Sequence, residues 1–301
     1  MRLTYFGTPE ASVPPLRALV EAGHDVVFVV TQPDKRRSRG AGSDPSPVKA
    51  AALELGLPVL TPDRARDVVD DVAGSGAELG VVVAFGQLLP VSLLDALPLG
   101  FLNMHFSLLP RWRGAAPVER AILAGDAETG VELMRVEAGL DTGPVYASER
   151  VVIDPADTAG TLRARLVAAG ARLLVEQLPR VAHTEPVEQV GEATYAEKLT
   201  IAEFRIDPTR PAHELERLVR AGDPRPGAWF RAGGQRYKVF GPTVAGDRSA
   251  RPGTVGDAGI TATDGLLVLR EIQPEGKRRM SWEDWRRGRP GPLVIDRPDD
   301  P

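Results

Sequence analysis

The run Leu79-Gly80-Val81-Val82-Val83-Ala84-Phe85 carries no polar side chain, and it constrains the fold more than any other stretch. Successive residues of a strand point to opposite faces, so a strand that is apolar throughout needs cover on both. Such strands belong to parallel sheets flanked by helices. Val26–Val30 is continuous and β-branched in the same way, and Leu3–Phe6 is a third apolar run. Between these lie segments of helical spacing. Gly7-Thr8-Pro9-Glu10 is a turn that opens a helix through Leu16, Leu19 and Val20; Ala50–Leu55 reads as helix, and Pro58-Val59-Leu60 as a short strand. Phe101–Met104 and Val131–Val136 are further strands, and Thr158–Leu178 is a helix that closes the region. The alternation predicts an α/β class with a doubly wound, mostly parallel, Rossmann-like sheet. Its ligand crevice is expected beyond the carboxyl ends of the strands.

The pattern stops near Thr184. Thr184–Ala202 lacks periodicity and contains Glu185-Pro186 and Val190-Gly191, as a linker does. A helix near Ala212–Arg220 follows. Short runs broken by glycine and proline come next: Ala228–Arg231, Arg236–Phe240, Gly259–Thr263 and Leu266–Ile272, with Gly233-Gly234 as a hairpin turn. These read as a small β-barrel or sandwich, and an OB-like β-barrel is the expectation. The expected organisation is a first domain over residues 1–186, a linker over 187–203 and a barrel over 204–301, frayed from Asp296 onward. No internal repeat is visible. Charge divides the same way. The chain has a net charge of −4, yet from Val190 onward 19 basic residues face 17 acidic ones. A less acidic tail piece suits a polyanionic partner.

Several classes of function are excluded early. There is no cysteine, so disulfides, thiolate catalysis and cysteine metal sites are out. His24, His105, His183 and His213 are too scattered for a zinc cluster, and no metal is expected. No apolar run approaches the roughly 18 residues of a membrane helix. Met1–Gly7 is too short and too quickly polar for a signal peptide. A cytoplasmic monomer is the expectation.

The stretch FLNMHFSLLPRWRGAAP (101–117) carries the most chemistry. Its strand ends in Asn103-Met104-His105, and period-two alternation turns Asn103 and His105 to one side. Downstream, Glu137–Pro144 offers Asp141 in a glycine-flanked turn after the strand Val131–Val136, at the next such crevice. Singly these are not diagnostic, since a histidine after a strand is more often structural and such an aspartate often only closes a turn. Together they suggest an amide donor, an oxyanion stabiliser and an acid/base pair.

The run from Leu102 to Gly143 closely resembles the methionyl-tRNA formyltransferases and their wider 10-formyltetrahydrofolate-dependent relatives. SLLPRWRGAAP with the preceding Asn-Xaa-His and the later GLDTG carries the likeness. FGTPE (6–10), TQPD (31–34), PSPVK (45–49), AFGQLLP (84–90), TYAEKLT (194–200), PGAW (226–229) and IQPEGKRRM (272–280) extend it over nearly the whole chain. The matches after Tyr195 point to the tRNA-specific branch; a small amine such as an amino sugar is the competing acceptor.

The resemblance implies catalysis by Asn103, His105 and Asp141. It implies 10-formyltetrahydrofolate as cosubstrate, held by Phe85, Gly86, Gln87, Leu88, Ser107, Leu108, Leu109, Pro110, Gly139 and Asp141. It also implies initiator methionyl-tRNA as acceptor, met by Arg36, Arg37, Arg39, Lys198 and Lys238. Lys35–Asp44 (KRRSRGAGSD) has four basic residues and no apolar face, so it reads as a solvated loop. By resemblance this loop meets the acceptor end of the tRNA. Ala41 and Gly42 stand where relatives keep two lysines, Phe106 replaces a small residue, and Gly222-Asp223 and Arg225 replace aromatic and Asn/Trp residues.

Overall fold

The computed structural model describes residues 1–36, 43–246, 250–289, 291 and 293–296. The chain divides into two compact units: Met1–Pro117 with Glu128–Val152 and Arg163–Glu197, and Val118–Ala127 with Ile153–Leu162 and Lys198–Pro301.

The apolar runs of the first unit form one sheet. Its strands are β1 (Arg2–Gly7), β2 (Asp25–Val30), β3 (Val59–Leu60), β4 (Leu79–Val83), β5 (Phe101–His105), β6 (Glu128–Arg135) and β7 (Val145–Val152), in the order β7-β6-β5-β4-β1-β2-β3. β1 to β5 pair in parallel, whereas β6 is antiparallel to both β5 and β7. Strand order therefore reverses between β1 and β4, and Gly7 and Val83 stand at the carboxyl ends where such a reversal opens a crevice.

All five residues of β4 are buried. Gly80 at its second position lets the Phe101 ring of β5 lie directly over the backbone, where a Cβ would collide with it. Phe101 meets Phe6 edge-on at 5.4 Å, and Phe6 meets Phe85 at 5.3 Å. Burying each such ring contributes about 1.5–3 kcal/mol, so the floor of the crevice is firm. The turn after β1 is tied to the same place. The Tyr5 hydroxyl donates to the Ser12 carbonyl at 2.6 Å, and Ser12 Oγ donates to the Val83 carbonyl at 2.7 Å. The helix Val13–Glu21 carries its prolines in the first turn, where a missing N–H costs no hydrogen bond. The helix Ala159–Gln177 passes Gly170 close over Met104 and Val131. Met104 thus faces this helix, and alternation sends Asn103 and His105 to the other face.

Two stretches expected to be irregular are tied down. In the basic loop, Lys35–Arg36 pairs with Ser43–Asp44. Below that ribbon, Lys49 Nζ holds Asp34 at 2.7 Å and Thr31 Oγ1 meets Ser46 Oγ at 2.7 Å. Ser46 Oγ also accepts from Lys49 N at 3.0 Å, capping the helix Pro47–Glu54. The expected solvated excursion therefore has an ordered stem; Arg37 and Arg39 lie outside the described residues. In the expected linker, Val187 bridges Val145, and Tyr195–Ala196 pairs in parallel with Arg113–Gly114. Its sequence lacks a period because it touches the sheet only at the single Val187–Val145 bridge and otherwise pairs with the short Arg113–Gly114 segment.

The second unit is an antiparallel sheet of β8 (Ala228–Ala232), β9 (Gln235–Ala245), β10 (Thr254–Val255), β11 (Gly259–Thr261), β12 (Leu266–Pro274), β13 (Met280–Ser281) and β14 (Leu293–Val294). The order is β8-β9-β12-β11-β10-β14, with β13 on β12. Gly233 and Gly234 turn the first hairpin at φ +58° and +74°, a pair of positive values that only glycine adopts without strain. The Asp296 carboxylate accepts both of their N–H groups at 2.9 Å, and Asp296 N donates to the Arg231 carbonyl at 2.8 Å. The sheet thus curls into a half-barrel. Asp296, expected to fray, is pinned by these bonds, while residues 297–301 lie outside the described residues. The helix Ala212–Gly222 buries Leu215, Leu218 and Val219 and packs on β9 and β12. Among the described residues, no helix is long and apolar enough to cross a membrane.

Candidate active site

His105 ends β5 and is 6% exposed. Its Nε2 lies 3.0 Å from the Trp112 carbonyl. A carbonyl only accepts, so Nε2 carries a proton and donates. Nδ1 faces Asp141 Oδ2 at 3.7 Å, beyond hydrogen-bond distance, and is the ring atom left open to a reacting group. Asn103, two residues earlier on the same face, is half-buried. Its amide makes no hydrogen bond with any described residue, so its N–H groups are open to an incoming oxygen. Asp141 arrives differently from the sequence expectation. β6 runs antiparallel to β5, so the acid comes not at a second carboxyl-end crevice but on the loop 136–144 between two antiparallel strands.

That loop is over-determined. Asp141 Oδ2 accepts the Gly114 N–H at 2.8 Å. Gln189 Nε2 donates to the carbonyls of Asp141 and Gly143 at 2.9 and 2.8 Å, while Gln189 Oε1 accepts from the Arg113 guanidinium at 2.6 and 3.1 Å. Gly143 lies against the Arg135 carbonyl so closely that any Cβ would collide with it. The Trp112 N–H donates to Thr194 Oγ1 at 2.9 Å, and Arg111 lies over the Trp112 ring at 4.4 Å. Among the described residues the non-glycine positions with positive φ are Ala84 (+47°), Trp112 (+62°) and Asp141 (+50°). Trp112 and Asp141 belong to these loops and Ala84 directly follows β4, and such strain concentrates at functional sites. Gln189 and Thr194 escaped the sequence reading. Thr194 opens the quoted TYAEKLT string, but no local signal marks Gln189.

The other expected contacts scatter in kind. Phe85 is 1% exposed and packs in the core against Phe6, so its carbonyl is what it presents, accepting from Gln32 Nε2 at 2.9 Å and Thr8 Oγ1 at 3.2 Å. Gly86 has φ +84°. Gln87 bonds the Ala65 N–H and the Asp63 carbonyl, and Leu88 is 74% exposed. Ser107 is buried and closes its own turn on the Arg111 carbonyl at 2.6 Å. Leu108 packs on Gly130. The Pro110 carbonyl accepts from Thr194 N at 3.1 Å. Gly139 sits against Thr142, and Leu140 is an exposed apolar side chain.

A buried carboxyl that sequence reasoning passed over, Glu132, lies opposite His105 in the β5–β6 register. Burial raises its pKa from the ordinary 4.5; the Ser148 hydroxyl, the Leu109 N–H, His105 and Arg150 pull the other way. Among the described residues no group of three metal-ligating side chains converges.

In the second unit, Arg236, Lys238, Gln273, Pro274, Glu275 and Gly276 line a cleft of about 230 Å³. Arg236 lies over the Trp229 ring at 4.2 Å and Arg205 approaches the same ring at 5.7 Å. Partial burial lowers the Lys238 pKa, helped by the charges of Arg236 and Arg225. Lys198 is exposed. Arg36 stands in the described ribbon.

Comparison with known proteins agrees over both units. Residues 1–178 match the family described as formyl transferase, and residues 198–290 match its C-terminal domain. The chain is 47% identical to a methionyl-tRNA formyltransferase of Roseobacter denitrificans over 96% of each chain. It is equally identical to one of Paracoccus denitrificans over 98% of this chain and all of that one. Among solved structures, HypX from Aquifex aeolicus in complex with tetrahydrofolic acid aligns with a TM-score of 0.67 at 16% identity, covering 95% of this chain. The present chain spans about half of that one, 46%. An N-formyltransferase from Helicobacter canadensis, in complex with folinic acid and dTDP-3-aminofucose, gives 0.66 at 18% identity, covering 91% and 99%. At these identities the structures speak for the fold.

Proposed function

The chain belongs to the formyl transferase family, and from that premise we infer that it moves the formyl group of 10-formyltetrahydrofolate onto the α-amine of methionyl initiator tRNA. The reaction serves translation initiation in the cytoplasm, and the enzyme works as a monomer without a metal. The amine nitrogen attacks the formyl carbon, a tetrahedral intermediate forms, and the bond from that carbon to the folate nitrogen breaks as that nitrogen takes up a proton. Asn103 and, in its protonated form, the Nδ1 side of His105 stabilise the oxyanion, each such donor contributing about 10²–10³ in turnover. Asp141 orients the imidazole and helps to remove a proton from the amine.

The observation that carries this reading is the His105–Asp141 pair at 3.7 Å beside the unpartnered Asn103 amide, at the end of a buried parallel strand. Exposed Leu88 and Leu140 give a flat ring system apolar side chains to cover, which fits a pterin held between the strip 85–88 and the turn at Gly139, with Ser107–Pro110 behind it. Lys238 and its cleft, Lys198, and Arg36, Arg37 and Arg39 meet tRNA phosphates. The decisive experiment is formylation with 10-formyltetrahydrofolate, comparing charged initiator with charged elongator tRNA. Turnover confined to the initiator supports the assignment. Equal turnover on both, or on an amino sugar alone, overturns it.

A further inference from the structure

We propose that Glu132 is a positioning residue of the formyl-transfer centre, holding the Leu108-Leu109 turn and backing the His105 imidazole from the strand side. The inference rests on the assignment of His105 given above. Glu132 is 5% exposed in the middle of a buried strand. An ionisable side chain there is costly to desolvate unless its atoms are bonded; a valine or threonine would suit the strand at no such cost. Both carboxylate oxygens are used. Oε2 accepts the Leu109 N–H at 2.8 Å, and Oε1 accepts the Ser148 hydroxyl of β7 at 2.7 Å. A backbone N–H in an irregular loop is thereby satisfied by a side chain rooted in the sheet, which fixes the path of the turn after His105.

The register supplies the second half of the argument. Glu132 pairs with His105 across β5 and β6, and directly opposed residues of antiparallel strands project from the same face with Cβ atoms about 4.5–5.5 Å apart. Glu132 therefore stands beside His105 on the face of the sheet that carries the centre, and Asp141 meets the Nδ1 side of the ring. The groups facing Glu132 are His105 from β5, Ser148 and Arg150 from β7, and the Leu109 N–H from the loop. A residue that merely stabilised the fold would change stability and leave kcat at saturating substrate alone.

The test measures kcat and KM for the full-length protein and for Glu132→Val, Glu132→Gln, Ser148→Ala and His105→Ala. Glu132→Val removes the acceptor of the Leu109 N–H and is expected to lower kcat about tenfold with both KM values little changed, while Glu132→Gln, which keeps an acceptor, should recover most of that loss. Ser148→Ala withdraws one of the two bonds that hold the carboxylate, so it should lower kcat by less; it decides the question if Glu132→Val does not fold. Wild-type kcat in the folded Glu132→Val and Ser148→Ala variants overturns the proposal. His105→Ala separates the two levels. If it keeps full turnover, the assignment of the centre itself falls; if it is inactive while the other variants match wild type, only the role of Glu132 falls.

Discussion

Around His105 the polar groups are buried or half-buried, Asp141 and Gln189 are tied by hydrogen bonds to neighbouring backbone, and Trp112 and Asp141 hold positive φ. Around Lys238 the cations are partly exposed, lean on indole and one another, and repel. The contrast separates two tasks. Formyl transfer needs one nitrogen and one oxygen held to a fraction of an ångström while charge develops. Holding a polyanion needs charge density at a surface, and position matters less. The first region should therefore fail steeply on small changes, the second gradually.

The steepest failure is expected at the centre itself. His105→Ala and Asp141→Asn should each lower kcat at least about a hundredfold, with folate binding retained. Single-turnover formylation together with folate titration measures both. Near-normal turnover in either variant would erase the distinction between the two regions. Next comes Gln189, which spans Arg113 and the carbonyls of Asp141 and Gly143. Removing it leaves partly buried groups unpaired, so Gln189→Ala should reduce kcat by about tenfold with little change in the tRNA KM. A KM effect alone would place Gln189 with the binding surface instead.

Glu132 gives a smaller effect, read in stability. Its carboxyl pKa is raised above 4.5 by burial, so over the window from 4.5 to its folded value the native state holds more protons than the unfolded one. Stability is then lost as pH rises through that window. Glutamine does not titrate. The Tm of Glu132→Gln relative to wild type should therefore climb as pH rises from below 4.5, then level off. A difference that stays flat with pH would mean that the carboxyl is not strained by its site.

These residues also mark what the sequence made legible. The central strands were readable because burial on both faces leaves unbroken apolar runs, and the Gly233-Gly234 turn because only glycine tolerates two positive φ values cheaply. Asn103 and His105 shared a face by period alone. The direction of β6 was not readable, since an apolar run fixes burial and not sense, and so Asp141 was placed at the wrong kind of crevice. Glu132 reads as an ordinary outward residue of an alternating strand, and its partners, Leu109 and Ser148, lie on other segments. Gln189 sits in a stretch without period whose bonds run to Arg113, Asp141 and Gly143, far away in the chain. In each case the missing information was long-range pairing.

The mildest prediction concerns Lys238, where the comparison predicts a trade rather than a failure. Its pKa is lowered by burial and by Arg236 and Arg225, so the charged form is less favoured in the folded state than in the unfolded one, and keeping the charge costs stability. Lys238→Gln should thus raise Tm slightly, by about 1–3 °C. The same change withdraws one cation from the cleft beside Gln273. If the cleft takes a phosphate, the slope of log affinity for tRNA against log salt should flatten by about one unit. Turnover at saturating tRNA should stay as in wild type, because Lys238 has no part in the chemistry assigned to Asn103, His105 and Asp141. A fall in kcat with an unchanged salt slope would reverse the division of labour drawn between the two regions. A higher Tm with neither change would leave Lys238 as a residue that the fold merely tolerates.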